Sequence, residues 1–278
     1  MLANQIKMNQ VAIVVPVTVG NSVIAENMID WIFQLNFRKQ IGHAVICHDE
    51  LVHPERRERI KLACELAFIS FDEIVVPSRG TLEKPASENF TRNNLFLGAA
   101  EHCQKSLRVP WLWLEPGSCP TNPLWFVKIC NAYYSQVRRY SGTHLKPSAD
   151  GPIFLHPVSV YHMGAFNDVS KVVSESMDEF FEAVSGQILH PKSTKWRLVQ
   201  PLKILEETDC DKVWDEAQIV FGDDAGILVE NLRSKGVHFP KPLNLDSDRN
   251  QEGSQIQPVK IDRRTKEGRA LAKAQHAN

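Results

Sequence analysis

The stretch that decides the fold is WLWLEPGSCP, residues 111–120. Its first four residues are apolar, which is typical of a strand buried on both faces. The prolines at 116 and 120 are expected to prevent further sheet pairing. The strand therefore ends at a single carboxylate, Glu115. Because ligands of open α/β sheets bind beyond the carboxyl ends of the strands, this acid is a candidate site residue.

Strands and helices alternate ahead of this segment. Each predicted strand is a short run rich in β-branched and apolar residues, and each predicted helix carries apolar residues at helical spacing or an early proline or capping residue. This alternation is typical of a mostly parallel α/β sheet with helices on both faces. The predicted strands are 11–17, 43–50 and 72–80, and the predicted helices are 22–35, 54–67 and 87–104.

The pattern is looser beyond the tryptophan strand. We predict one main domain over residues 8–240 and a polar, basic tail over 241–278, which has too little to bury and is expected to be disordered. The predicted elements after the strand are helices over 122–137 and 175–188 and extended segments over 151–162, 196–202 and 218–226.

Composition excludes several classes of protein. The 278 residues carry a formal charge of −1, so no global field favours nucleic acid. No segment approaches the ~20 apolar residues of a membrane span, and no membrane partner is expected. The six cysteines form no CxxC pair or recurring metal-ligand spacing. We therefore expect a soluble, cytoplasmic protein with reduced thiols, in which Cys119 is a packing residue or, alternatively, a nucleophile.

Four segments together resemble the nucleotide-sugar-binding half of GT-A fold glycosyltransferases. The bacteriophage-encoded members are the most similar, because they carry an acidic turn of the form E-P-D-x-x-P-T followed by a helix with a tryptophan. The resemblance covers residues 10–165 and implies a Rossmann-like sheet, a nucleotide-binding half over 8–120, an acceptor half over 121–240 and, for a phage protein, the host cytoplasm. The segments are VAIVVPV (11–17), AVICHDE (44–50), EIVVPSRG (73–80) and PWLWLEPGSCPTNPLWF (110–126).

The resemblance implies roles for particular residues toward a donor of the UDP-sugar type. The end of the first strand would wrap the base and ribose, the end of the second would offer an acid to the uracil or ribose, and a polar residue of the third helix would pack near the nucleotide. The first acid of the turn would act in catalysis and bind the metal. These residues are, in order, Pro16, Val17 and Thr18, then Asp49, then Asn93, then Glu115.

The sequence departs from the family at the second acid of the turn, where it has Gly117. The family depends on that acid for Mn²⁺ or Mg²⁺, so only Glu115 remains as a metal ligand here, and metal dependence is disfavoured. Without a metal, the leaving diphosphate must be neutralised by cations or N–H groups. We assign Arg79, Lys195 and Arg197 to donor binding; other candidate cations are Arg92, His156 and Lys192. The alternative for the segment 190–197 is a solvated basic loop.

Two further features are candidates for proton transfer. His162 is assigned as an acid, a base or a donor to the diphosphate, and a structural histidine is the alternative. Asp223 and Asp224 follow the apolar run QIVF and a glycine, so they are candidates for the carboxylate base that an inverting transferase requires. In the alternative, these aspartates cap the segment that follows.

Three functions remain open from the sequence. The first is an active glycosyltransferase whose acceptor is a modified DNA base, a protein or a glycan; if it is DNA, the basic tail would add salt-sensitive contacts. The second is a degenerate GT-A-like domain that binds nucleotide or serves a structural role. A hydrolase or methyltransferase is the third, and it is disfavoured because PVTVGNS (16–22) lacks a glycine-rich phosphate loop. The oligomeric state is not indicated.

Overall fold

Seven of the described strands form one mixed sheet. The structure is a computed structural model that describes residues 11–84, 86–146, 151–196, 198–201 and 218–221. The strands of this sheet are β1 (Ala12–Val17), β2 (Ile41–Asp49), β3 (Phe68–Val76), β4 (Trp111–Trp113), β6 (Tyr140–Leu145), β7 (Phe154–Tyr161) and β8 (Ser193–Lys195). Their order in the sheet is β3-β2-β1-β4-β7-β6-β8.

The first four strands are parallel, as the sequence predicts. Strand β7 runs antiparallel to both β4 and β6, and β8 is parallel to β6. The carboxyl ends of β1 to β4 therefore meet at one edge of the sheet, which also receives the amino end of β7. We call this the carboxyl edge.

Helices cover both faces of the sheet, which confirms the predicted α/β class. The helices are α1 (Ser22–Leu35), α2 (Pro54–Ala67), α3 (Glu88–His102), α4 (Trp125–Tyr134), α5 (Ala165–Glu175) and the single turn α6 (Gln187–Leu189). One face of the sheet buries alternate β1 side chains, such as Ile13 and Val15, against α1, α2 and α4. The other face buries the intervening side chains, such as Val14, against α3 and α5.

An aromatic cluster fixes α3 on β4. The ring of Phe96 lies 5.1 Å from that of Trp111, 5.3 Å from that of Trp113 and 4.6 Å from that of Phe181, measured between centroids. Such tilted and edge-to-face pairs stabilise the packing beyond what the burial of the rings contributes. The helix is thereby held with the turn before Phe96 at the carboxyl edge.

A second, three-stranded sheet follows the tryptophan strand. Strand β5 (Ser118–Pro120) pairs antiparallel with β10 (Ile219–Phe221), and β10 pairs parallel with β9 (Val199–Pro201). The indole Nε1 of Trp31 in α1 donates to the carbonyl of Pro120 at 2.9 Å. The expectation that the prolines prevent further pairing is therefore wrong, and this small sheet anchors the chain directly after the predicted acidic turn.

Two element predictions are wrong in position. Strand β3 begins at Phe68, directly after α2, and ends before Pro77, which lacks an N–H for further pairing. The predicted helix over 175–188 begins later than predicted: α5 ends at Glu175, residues 176–180 are non-helical, and helical structure resumes over 181–189, including a π-helical turn at Glu182–Gly186. The reason is tertiary, because Asn93 donates to the carbonyls of Met177 and Glu179 and so replaces helical hydrogen bonds.

Among the described helices, none has the length and apolarity needed to cross a bilayer. The predicted tail over 241–278 lies outside the described residues.

Candidate functional site

The carboxyl edge brings together three of the predicted site positions. In the register of the sheet, Val17 lies beside His48, and Val14 lies beside Trp113. Thr18 and Glu115 follow strands β1 and β4, and Asp49 is the last residue of β2. The three residues therefore lie at the same edge of neighbouring strands. Pro16 and Val17 precede Thr18 within β1 and are buried, Val17 in the core beneath α1.

The loop after β1 is held by reciprocal bonds between Thr18 and Asn21. The N–H of Thr18 donates to Asn21 Oδ1 at 2.7 Å, and the N–H of Asn21 donates to Thr18 Oγ1 at 3.3 Å. The turn feeds directly into α1, so the amino terminus of this helix opens at the carboxyl edge. Backbone N–H groups at a helix amino terminus favour negative charge nearby.

Asp49 ends β2 and is buried. Its Oδ1 accepts the N–H of Leu51 at 2.8 Å, an Asx-turn that fixes the orientation of the side chain. The carboxylate therefore has a defined position at the carboxyl edge, one strand away from Thr18.

Glu115 is ion-paired with Arg92 of α3. Its Oε1 accepts from Arg92 Nε at 2.7 Å, from Arg92 Nη2 and from the indole Nε1 of Trp113 at 3.2 Å. About a quarter of each charged side chain is exposed, 26% for Glu115 and 27% for Arg92. The sequence suggested both residues separately, but not the pair, which joins positions 23 residues apart.

The position of the missing second acid is occupied by a turn. The N–H of Ser118 donates to the carbonyl of Glu115 at 2.9 Å, and Gly117 has φ of 100°. A proline followed by a residue with positive φ is the pattern of a type II turn. An L-residue at position 117 would be strained in this backbone.

Arg79 stands at the amino end of α3. Its guanidinium carbon lies 4.9 Å from the ring centroid of Phe90, which belongs to the first turn of the helix. Phe90 and Arg92 thus connect the end of β3 to the end of β4 across the carboxyl edge. Both arginines lie on the side of the sheet covered by α3.

His156 adds a neutral group to this region. Burial, and secondarily the positive charge of Arg92, lower the pKa of His156 to about 3. Its Nδ1 accepts the N–H of Val158 at 3.1 Å. The imidazole is therefore uncharged at neutral pH and serves the backbone of β7.

Asn93 has a structural role, because its side chain binds the backbone of the segment after α5. Its Nδ2 donates to the carbonyls of Met177 and Glu179, both at 2.9 Å, and the side chain is fully buried. The next segment is held further by Asn89, which donates to the carbonyl of Asp178. The predicted nucleotide contact of Asn93 remains a prediction.

The structure does not bring His162 or Lys195 to Glu115. His162 follows Tyr161, which pairs with Trp111 at the start of β4, so it lies about 17 Å from Glu115 along the strand direction. Lys195 is in β8, three strands from β4, or about 14 Å across the sheet. Arg197, Asp223 and Asp224 lie outside the described residues.

Cys119 is a buried thiol in β5. Burial raises its pKa to about 12, so the sulfur is protonated at neutral pH. A protonated thiol is a poor nucleophile. These properties favour the packing interpretation.

The described residues do not fit a divalent metal at this edge. None of the His, Cys, Asp and Glu side chains in the described ranges form a group of three suited to an ion. Oε1 of Glu115 already accepts from a guanidinium and an indole, so a divalent ion on that oxygen would lie against the positive charge of Arg92.

A cleft of about 540 Å³ lies elsewhere, between β3, α3 and α5. It is lined by side chains such as Val76, Leu97, Glu101 and Phe166, and not by Thr18, Asp49 or Glu115. We locate the candidate site by the convergence of strand ends, helix starts and charged groups at the carboxyl edge, because this cleft lacks such a convergence.

No protein-family model matches the sequence, and no curated protein matches it. Among solved structures, the fold is similar to the galactosyltransferase LgtC in complex with donor and acceptor sugar analogs, with a TM-score of 0.51, 8% identity and coverage of 85% of this chain and 99% of that chain. An active-site mutant of LgtC matches with a TM-score of 0.51 and 8% identity over 80% of this chain and 95% of that chain. At this identity the likeness concerns the fold, and the chain has a GT-A-like α/β fold.

Proposed function

We propose that this protein is a glycosyltransferase that binds a nucleotide-sugar donor at the carboxyl edge of its sheet. The observation that carries the proposal is the convergence of Asp49, the Thr18–Asn21 loop and the Arg92–Glu115 pair at that edge. Open α/β sheets bind their ligands at this edge. The similarity of the fold to LgtC, whose structure contains donor and acceptor sugar analogs, supports the same choice.

The groups at the edge suit different parts of such a donor. Asp49 is fixed by its Asx-turn and can accept hydrogen bonds from a ribose or a base. The amino terminus of α1 and the guanidinium groups of Arg79 and Arg92 suit the diphosphate. We keep Pro16, Val17, Thr18 and Asn93 as the proposed lining of the nucleoside.

The reaction would exchange one bond at the sugar carbon for another. The bond between the anomeric carbon and the diphosphate oxygen breaks, and the diphosphate leaves with the electron pair. The acceptor's hydroxyl oxygen forms the new bond, and its proton passes to a carboxylate base. Asp223 and Asp224 remain the proposed base, and a UDP-sugar remains the proposed donor.

Binding of UDP, UDP-glucose and UDP-galactose by calorimetry tests the proposal, together with an assay of UDP release. The diagnostic variant is Asp49→Asn, because asparagine can still accept the N–H of Leu51 while it removes the charge. We expect it to weaken sugar-nucleotide binding by about tenfold, the effect of losing one charge-assisted contact. The matched control is Asp72→Asn, which changes the net charge equally from β3, and it should bind as the wild type does.

If none of the tested sugar nucleotides binds to the wild type, the proposal is overturned. If Asp49→Asn and Asp72→Asn weaken sugar-nucleotide binding equally, Asp49 does not contact the donor.

A second candidate is a nucleotide-binding protein without transferase activity. It is favoured by one observation, that the acid of the turn is neutralised by Arg92 while the second acid is replaced by Gly117. Binding of UDP-sugars without release of UDP, either alone or with a panel of acceptors, would support this candidate over the transferase.

A further inference from the structure

We infer that the guanidinium of Arg92 supplies the positive charge for the donor's diphosphate, and that Glu115 is a positioning residue for Arg92. The inference rests on the proposed function and deepens it. It assigns to an arginine the task that a divalent cation bound by two acids would otherwise perform.

The first argument is the occupancy of one oxygen of the Glu115 carboxylate. Its Oε1 receives Arg92 Nε at 2.7 Å, Arg92 Nη2 and Trp113 Nε1 at 3.2 Å. A divalent ion on this oxygen would have to displace the guanidinium, or remain close to it at the cost of repulsion between two cations. The carboxylate is therefore suited to orient a cation that is already part of the chain.

The second argument is the backbone of the turn. Gly117 has φ of 100°, and the turn is closed by the bond from Ser118 to Glu115. Strand β5 then begins at once and is paired with β10, so the turn cannot relax freely. An acid at position 117 is incompatible with this conformation without strain, and the turn presents one carboxylate only.

The third argument is the support behind Arg92. It lies one helical turn before Phe96, and residues four apart share a face of a helix. Phe96 is locked among Trp111, Trp113 and Phe181, so the rotation of α3 is fixed. Bonds to Glu115 then fix the guanidinium itself at the carboxyl edge, where 27% of the Arg92 side chain is exposed. The planar guanidinium matches the spacing of phosphate oxygens.

The surrounding charges suit a diphosphate that is held by Arg92. His156, whose pKa is lowered by burial and by Arg92, is neutral and contributes no charge to this region. Arg79 lies over Phe90 in the same helix and supplies a second cation. Glu115 is ion-paired with Arg92, so Arg79 adds a second guanidinium at the same edge from a different position.

The experiment compares UDP with uridine, which lacks the diphosphate, by calorimetry in EDTA and in Mn²⁺. For the wild type we expect UDP affinity to change less than twofold between the two conditions. Arg92→Gln should weaken UDP by about thirtyfold, as expected for loss of a charge-assisted bond, and should leave uridine within twofold. Arg92→Lys should recover part of the loss, since it restores the charge without the fork.

The variant Glu115→Gln distinguishes two roles of Glu115, that of a residue that positions Arg92 and that of a metal ligand. We expect this variant to retain UDP binding within about tenfold in EDTA, because an amide oxygen can still accept from Arg92. The matched control for Arg92→Gln is Arg59→Gln, since Arg59 is ion-paired to Glu26 at 2.9 Å on the opposite face of the sheet. This control should bind UDP as the wild type does.

Three outcomes would overturn the inference: UDP binding that requires Mn²⁺, UDP binding unchanged in Arg92→Gln, or equal losses of UDP and uridine in that variant. The first two leave the proposed function standing, because the wild type still binds UDP. If the wild type binds no sugar nucleotide, the proposed function fails and this inference fails with it. If Arg92→Gln does not fold, Arg92→Lys and Glu115→Gln give the same comparison of UDP with uridine.

Discussion

The N–H of Ser118 donates to the carbonyl of Glu115 at 2.9 Å, across a turn in which Gly117 has φ of 100°. The single acid of the turn and the glycine that follows are thus parts of one local structure. The glycine is not a neutral replacement of an acid, since the turn requires positive φ at that position.

Gly117→Asp is therefore expected to destabilise the protein and not to create a two-acid metal site. The expected loss in the free energy of unfolding is about 1–2 kcal/mol, the cost of an L-residue in the left-handed region. Urea denaturation measures it, and Gly117→Ala should lose a similar amount because the strain arises from Cβ. A variant of unchanged stability that gains Mn²⁺-dependent UDP binding would contradict this account.

Asn93→Ala is expected to lower the free energy of unfolding by about 2 kcal/mol. The change leaves the carbonyls of Met177 and Glu179 without their buried donor, and such groups are costly to leave unpaired. The neighbouring Asn94→Ala is the matched control, because Asn94 also donates to a carbonyl, that of Pro77, but is exposed to water. Equal effects of the two substitutions in urea denaturation would show that the buried bonds contribute little.

The local pattern of the sequence was sufficient to predict the first two helices and the direction of the first four strands. The predicted helices over 22–35 and 54–67 agree with α1 and α2 at both ends, since apolar spacing and an early proline are properties of the segment itself. The tryptophan strand also ends as predicted before Glu115. Parallel alignment of the first four strands followed from the alternation of strands and helices.

The candidate site was less predictable, because it depends on the direction of strand β7 and on the rotation of helix α3 about its axis. Neither is encoded in a local sequence pattern. The run 151–162 has the same apolar content whether β7 is parallel or antiparallel, and only the antiparallel direction moves His162 to the opposite edge from Glu115. Similarly, the Arg92–Glu115 pair depends on the rotation of α3, which is fixed by aromatic contacts with β4 and Phe181. The one sequence signal for it was the spacing of Arg92 and Phe96, four residues apart on one helical face.

Gly142→Ala tests the close pairing of β6 with β7. A Cβ on Gly142 would lie 1.8 Å from Ser159 Oγ and 2.8 Å from Leu155 Cδ1, so neighbouring side chains or the strands themselves must move. We expect a loss of about 1–3 kcal/mol in the free energy of unfolding, typical of overpacking. The control is Gly20→Ala, where the added Cβ would meet only Thr18 Oγ1 at 3.9 Å. If both variants melt at the wild-type temperature, β6 and β7 are not paired in this register.

The lowered pKa of His156 predicts that the protein loses stability in acid. In the folded protein burial lowers its pKa from 6.5 to about 3, so between these values the unfolded chain binds the proton and the folded protein does not. The free energy of unfolding therefore falls as the pH is lowered from 6.5 towards 3, by up to about 1.4 kcal/mol per pH unit for this residue. His48, whose pKa burial lowers to about 4, acts in the same direction.

His156→Asn isolates this contribution, because the amide oxygen can replace Nδ1 as acceptor for the N–H of Val158 and cannot titrate. Urea denaturation at several pH values between 4 and 7.5 should show a shallower dependence on pH for the variant than for the wild type, with the difference confined to values below 6.5. A variant with the wild-type slope would mean that His156 is protonated alike in the folded and unfolded states. In that case its imidazole would not be buried beside Arg92.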